Sequence, residues 1–235
     1  MTTIPRLYVD APLFETASVT AGSAQAHYLA NVLRRSAGSP VHLFNGRDGE
    51  WVGQIAALKR DRIGLTVEHL LRPQAPESDL WLCFAPLKRD ATDLVVQKAT
   101  ELGASALLPV LTERTNAARV NEARLAAIAV EAAEQCERLT VPIIHSPAKL
   151  PDLLETWHAG RRLAAALERS GAPFLRPAPG PAALLVGPEG GFSHGELDLL
   201  GRYAFVAPVS LGPRILRAET ACLAGLILLQ APGCG

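Results

Sequence analysis

"LLVGPEGGFSHGEL", residues 184–197, carries an apolar run into a turn with three glycines, a proline and a carboxylate, and then into a helix start. A strand that ends in a tight turn and feeds a helix is the repeating unit of a parallel sheet, where ligands bind beyond the carboxyl ends of the strands. A dinucleotide fingerprint needs G-x-G-x-x-G, and a P-loop needs Gly-Lys-Ser/Thr after its spacer. Gly187, Gly190 and Gly191 fit neither spacing, and no lysine follows. Pro188 also removes one backbone N–H from a loop that a phosphate binder would fill with donors. What remains is a turn with little side-chain bulk, which a flat ligand such as an adenine can approach closely. Ser193 and Glu196 have the spacing of a capping box, which fixes the helix just beyond the turn. On this stretch alone, an ordinary glycine-rich connection is an equally good reading.

The pattern recurs in "SLGPRILRAETACLAGLILLQ", residues 210–230, where Gly212-Pro213 follows Gly187-Pro188 by twenty-five positions. Two Gly-Pro turns after successive strands lie at the same sheet edge. Arg214, Arg217, Glu219 and Thr220 stand in front of a strongly apolar helix, one that must be buried on most of its surface. They could be solvated capping residues, with Thr220 as N-cap. Their clustering beside two backbone-exposing turns favours a site.

Outward from these turns, residues 79–235 alternate strands with amphipathic helices, from "LWLCFAPL" (80–87) to the last helix at 220–230. That alternation predicts an α/β domain with a parallel sheet. Residues 1–73 read instead as strands at 6–10, 40–47, 50–58 and 62–71, with one helix at 24–35. Asn45-Gly46 and Asp48-Gly49 are turn signals. This predicts a compact β-barrel. Prolines and polar residues at 72–79 place the domain boundary there.

Composition narrows the class. The chain is 49% hydrophobic and 20% charged. No apolar run approaches the roughly 20 residues of a membrane span, and no secretory leader is evident. A cytoplasmic protein with no membrane partner is expected. Cys83, Cys136, Cys222 and Cys234 are scattered, and the six histidines show no metal-ligand spacing, so no metal is expected. A net charge of zero argues against coating nucleic acid by bulk electrostatics but leaves room for a local basic groove.

The two glycine signatures, "VGPEGGFSHGEL" and "SLGPRILRAETACL", together resemble those of the 16S ribosomal RNA uracil-N3 methyltransferases of the SPOUT superfamily. Supporting stretches are "KATELGASALLPVLTERT" (98–115), "EAAEQCER" (131–138) and "HYLANVLRRSAGSPVHLFNGRDGEW" (27–51), so the similarity spans nearly the whole chain. The resemblance implies a C-terminal SPOUT α/β domain with a deep trefoil knot and an N-terminal PUA-like β-barrel. It implies S-adenosylmethionine as cofactor, a homodimer, and 16S ribosomal RNA, within the small ribosomal subunit, as substrate. By position, Leu167, Val186, Gly187, Pro188, Glu189, Gly190 and Gly191 would line the cofactor pocket, with Ser210, Leu211, Gly212, Ile215, Leu216, Ala218 and Thr220 opposite. Arg217 would stabilise a uracil anion and Glu219 would take its proton. Arg6, Arg34, Arg35, Lys88, Lys98, Arg114 and Arg138 are the candidates for RNA contact. Alternatives are a knotted methyltransferase acting on another RNA nucleoside and a non-catalytic RNA-binding homologue.

Overall fold

A computed structural model gives the fold of residues 4–59, 62–116, 120–158, 160–168, 171–177 and 180–230, which leaves Cys234 outside the described residues. The chain forms two compact units, Met1–Pro76 with Ala133–Val141, and Glu77–Ala132 with Pro142–Gly235.

In the first unit, β1 (Arg6–Tyr8), β2 (Ser18–Ala21), β3 (Pro40–Phe44), β4 (Glu50–Leu58) and β5 (Ile63–Arg72) form one sheet in the order β1-β3-β4-β5-β2. Three register shifts bend the β4–β5 ladder, each adding a local kink and twist. The bent sheet carries Leu7, Val19, Leu43, Ile55 and Leu65 into a single core, so strands from both ends of the pairing order bury the same face. β2 escapes the sequence pattern, because its four residues of alternating burial give too short a periodic signal. The expected helix is α1 (Ser23–His27), which continues as a π-helical turn over Tyr28–Val32.

The glycine-bearing loop between β3 and β4 is an Asx turn. The buried Asn45 accepts from the amides of Arg47 and Asp48 through Oδ1 and donates to Asp48 Oδ2 and the Ala11 carbonyl. Gly49 sits at φ +83°, and a Cβ there would lie 2.3 Å from the Arg72 carbonyl oxygen. No other residue fits that conformation in that space. Residues 133–141 complete this unit: Ala133 and Leu139 pack with Phe44, Tyr8 and Val141.

The second unit is a parallel sheet of seven strands: β6 (Leu80–Phe84), β7 (Ala106–Leu111), β8 (Ile143–Ile144), β9 (Ala148–Lys149), β10 (Arg162–Ala166), β11 (Ala182–Val186) and β12 (Val206–Val209). The order is β12-β10-β11-β6-β7-β8, with β9 pairing the far end of β7. The helices are α2 (Arg89–Glu101), α3 (Glu122–Gln135), α4 (Leu150–Glu155), α5 (His194–Leu200) and α6 (Ala218–Gln230). β11 is buried along its whole length, as a continuous apolar run with helices on both faces should be. Its odd positions join the core with α4 and α5, represented by Ala183, Leu185, Leu153 and Leu200. On the other face Gly225 of α6 lies against Leu184: an added Cβ would stand 2.4 Å from its Cδ2. Gln230 anchors the end of α6 by donating to the Leu102 carbonyl at the C-terminus of α2.

Candidate functional site

Parallel register puts the carboxyl ends of neighbouring strands level. Ala166 of β10 pairs with both Val186 of β11 and Val209 of β12, and β11 pairs β6, which pairs β7. The segments that follow these strands therefore share one edge: Leu167, the glycine turn at Gly187, Ser210, Lys88 and the "TERT" loop at Thr112–Thr115. Leu167, Val186–Gly191 and Ser210–Gly212, proposed from separated stretches of sequence, are brought together here.

The first turn closes with the Gly191 amide donating to the Pro188 carbonyl at 2.8 Å, and Gly191 is at φ +67°. Gly187 has a different reason to be glycine, since a Cβ there would lie 2.9 Å from the ring of Phe192 folded beneath the turn. Beyond it the capping box is formed in both directions. Ser193 Oγ accepts from the Glu196 amide and Glu196 Oε2 from the Ser193 amide. In the second turn the Ser210 hydroxyl accepts from the Gly212 amide, and Gly212 sits at φ +128°, a region only glycine occupies readily. Among the described residues no heavy atom beyond the glycine and its two chain neighbours lies within 4 Å of where a Cβ would be at Gly191 or Gly212, so both turns present bare main chain to open space. Ser210 is further held by segment 173–175: its amide donates to Pro173 and its carbonyl accepts from Leu175. Periodicity carries no signal for that contact.

α6 begins at Ala218, so Ala218, Glu219 and Thr220 form its first turn, and Thr220 is not its N-cap. Arg217 is exposed immediately before the helix, Glu219 is half-buried, and Ile215 is 57% exposed. Leu211 and Leu216 are half-buried, Thr220 and Glu189 exposed, and Ala218 buried.

The basic residues divide. Lys88 is exposed on the turn after β6, at the same edge as the glycine turns. Lys98 is in the last turn of α2, paired with Glu101 at 2.9 Å, and so lies towards the opposite edge. Arg34 is exposed at φ +52° and Arg35 half-buried, both beyond the π-helical turn.

One candidate for RNA contact is corrected. Arg6 is buried, with its side chain 7% exposed: it pairs with Glu50 at 2.5 Å and donates to the carbonyls of Ala133, Glu134 and Arg138. A guanidinium so fully used inside the first unit has nothing left for a phosphate. Arg114 turns onto the glycine turn, donating through Nη1 to the carbonyls of Gly190 at 2.7 Å and Phe192 at 3.4 Å. Arg138 is half-buried and donates to Thr140 Oγ1. Among the described residues there is no group of three or more metal-ligating side chains, and no helix is long and apolar enough to cross a membrane.

Residues 73–230 match the family described as RNA methyltransferase domain, and residues 21–68 the RNA methyltransferase PUA domain. The chain is 33% identical to the ribosomal RNA small subunit methyltransferase E of Rickettsia conorii over 97% of its own length and 96% of the relative's. It is 28% identical to the enzyme of that name from Bacillus subtilis over 92% and 89% of the two chains. The structure of ribosomal RNA small subunit methyltransferase E from Neisseria gonorrhoeae bound to S-adenosylmethionine superposes with a TM-score of 0.86 at 28% identity, covering 97% of each chain.

Proposed function

The chain belongs to the ribosomal RNA small subunit methyltransferase E family, and on that premise we propose that it methylates N3 of a uridine in 16S ribosomal RNA, using S-adenosylmethionine, as a homodimer in the cytoplasm. The observation that carries the reading is the convergence of two bare main-chain turns, at Gly191 and Gly212, beside Arg217 and Glu219 at the mouth of α6. The S-adenosylmethionine of the Neisseria structure is bound by a protein of the same fold over nearly its full length.

The residues present suit such a cofactor. An adenosine without phosphate needs close main-chain approach and apolar cover rather than a nest of cations. Open space over Gly191 and Gly212 supplies the first, and Leu167, Leu211, Ile215 and Leu216 supply the second. Val186, Gly187, Pro188 and Ala218, all buried, form the floor that holds the turns in place. S-adenosylmethionine supplies an electrophilic methyl group when bound. The protein's part is to hold the base in line and remove the proton that N3 carries. Arg217, exposed at the mouth, stabilises the uracil carbonyl on which negative charge grows, and Glu219 accepts the N3 proton. The base reaches this edge flipped out of its stack, with Lys88 on the adjacent turn contacting backbone phosphate.

Exposed apolar side chains support the homodimer: Phe174, Ile215 and Ile227 are each more than half exposed in the isolated chain. The C-terminal trefoil knot is proposed from the fold family, with α6 packed on β11 through Gly225 as its support.

The test is methyl transfer from labelled cofactor to small ribosomal subunits and to naked 16S RNA, followed by digestion to nucleosides. Label in N3-methyluridine is expected. Label in another nucleoside would overturn the base assignment, and no label in either RNA would overturn the activity. Arg217→Ala and Glu219→Gln should each lower kcat by about 10²-fold or more, the usual scale for a lost acid–base or oxyanion partner, while cofactor affinity changes only a few-fold.

A further inference from the structure

We infer that Arg114 and Glu196 form a brace that sets the peptide planes of the glycine turn, so that the loop after β7 determines cofactor affinity; this rests on the function proposed above. Two planes in the turn are each held at both ends. In the plane between Gly190 and Gly191, the carbonyl accepts from Arg114 Nη1 at 2.7 Å and the amide donates to the Pro188 carbonyl at 2.8 Å. In the plane between Phe192 and Ser193, the carbonyl accepts from the same Nη1 at 3.4 Å and the amide donates to Glu196 Oε2 at 2.9 Å.

Glu196 is 5% exposed, and its other oxygen, Oε1, accepts from the Glu113 amide at 2.9 Å. The carboxylate therefore ties the turn to the backbone that carries Arg114. That backbone is itself closed: Thr115 Oγ1 accepts from the Thr112 amide, and the Thr115 amide donates to the Thr112 carbonyl. The brace matters because the first of the two held planes lies between two glycines. Gly190 and Gly191 have no Cβ to restrict rotation, so without Arg114 that plane is held, among the described residues, only by the bond from the Gly191 amide to the Pro188 carbonyl. A turn that recognises its ligand by main-chain groups loses recognition when those groups turn away. Arg114 is thus a positioning residue of the cofactor site.

The experiment compares wild type with Arg114→Ala, Arg114→Lys and Glu196→Gln in three measurements. The first is amide hydrogen exchange across residues 187–193 in unliganded protein. The second is calorimetric titration with S-adenosylmethionine alongside steady-state kinetics. The third is affinity for a 16S RNA fragment by fluorescence anisotropy. Arg114→Ala should speed exchange in the turn, raise the cofactor Kd about tenfold and lower kcat/KM far more than kcat at saturating cofactor, with RNA affinity held. Arg114→Lys, which keeps one donor, should recover part of the loss. Glu196→Gln, which keeps one acceptor oxygen, should give a smaller change of the same kind. Unaltered exchange, or an unaltered cofactor Kd, overturns the brace; RNA affinity lost with cofactor binding intact makes Arg114 an RNA contact instead. Wild type that binds no S-adenosylmethionine would overturn the functional reading too, a result distinguishable from any in which only the variants behave unexpectedly.

Discussion

A methyl group added at Gly225 of α6 would stand 2.4 Å from Cδ2 of Leu184, a side chain with no exposure in β11. Alanine would gain up to about 1 kcal/mol of helix propensity over glycine. Overpacking a tight core costs about 1–3 kcal/mol. With β11 buried along its length Leu184 has nowhere to retreat, so overpacking wins. Gly225→Ala should lower unfolding stability by about 1–2 kcal/mol, read by denaturant titration. Gly187→Ala meets Phe192 at 2.9 Å, but that ring is part of the turn and can shift. Its expected effect is a several-fold weaker cofactor Kd with a smaller loss of stability, so an unchanged Kd would contradict the placement of the turn in the pocket. At this scale the sequence shows that glycines are needed without showing why each is. Gly191 and Gly212 answer to backbone conformation and Gly187 to an aromatic ring, while Gly190 faces only the Arg114 side chain at 3.4 Å. Spacing along the chain cannot separate those causes, because the side chains that crowd Gly187 and Gly190 are brought there by folding.

At the scale of elements, β3, β4 and β5 meet around Glu50, whose 2%-exposed side chain lies 2.5 Å from both Arg6 and Arg72 and 3.8 Å from His42. Burial alone would raise the Glu50 carboxyl pKa, but the hydrogen bonds and charges of Arg6 and Arg72 outweigh it and hold it below its ordinary value. His42 is also lowered, chiefly by burial, against a partial pull upward from Glu50. Both groups bind protons more readily in the unfolded chain, so acidification favours unfolding. For His42 the loss begins as pH falls below about 6.5, and for Glu50 below about 4.3, the pKa values of the free side chains. A melting-temperature profile should therefore fall in two limbs, and His42→Asn should flatten the upper one while leaving the lower. A profile that stays level from pH 7 to pH 5 in wild type would show that His42 contributes nothing. The strands of this network are legible in the sequence because β4 and β5 run for nine and ten residues. Short elements are not: β9 has two residues and β2 four, too few for a period to register.

For the whole molecule, the proposed homodimer makes a prediction about α6. Ile227 is 52% exposed on a helix that otherwise buries much of its apolar surface. Ile227→Asp should shift the protein from dimer to monomer by light scattering and reduce methyl transfer, with the far-ultraviolet spectrum retained. A dimer that survives the charge would place the interface elsewhere. The alternation of strand and helix makes the parallel sheet legible from residue 80 onward, and with it the shared edge where the two Gly-Pro turns meet. Nothing in the periodicity of α3 marks its last residues as belonging to the first unit, because their partners, Phe44 and Tyr8, lie far earlier in the chain.

That discontinuity constrains how the protein is made. The five strands of the first unit are complete when residue 72 has been added, yet Arg6 and Arg72 find carbonyl partners at Ala133, Glu134, Glu137 and Arg138. Synthesis must run past β6, α2, β7 and α3 before those carbonyls all exist. Because chains elongate by only tens of residues every few seconds, the nascent barrel waits on the order of several seconds. Through that wait the Phe44 side of its core is unfinished. The part of the chain that leaves the ribosome first is thus sealed by a later stretch of the same message.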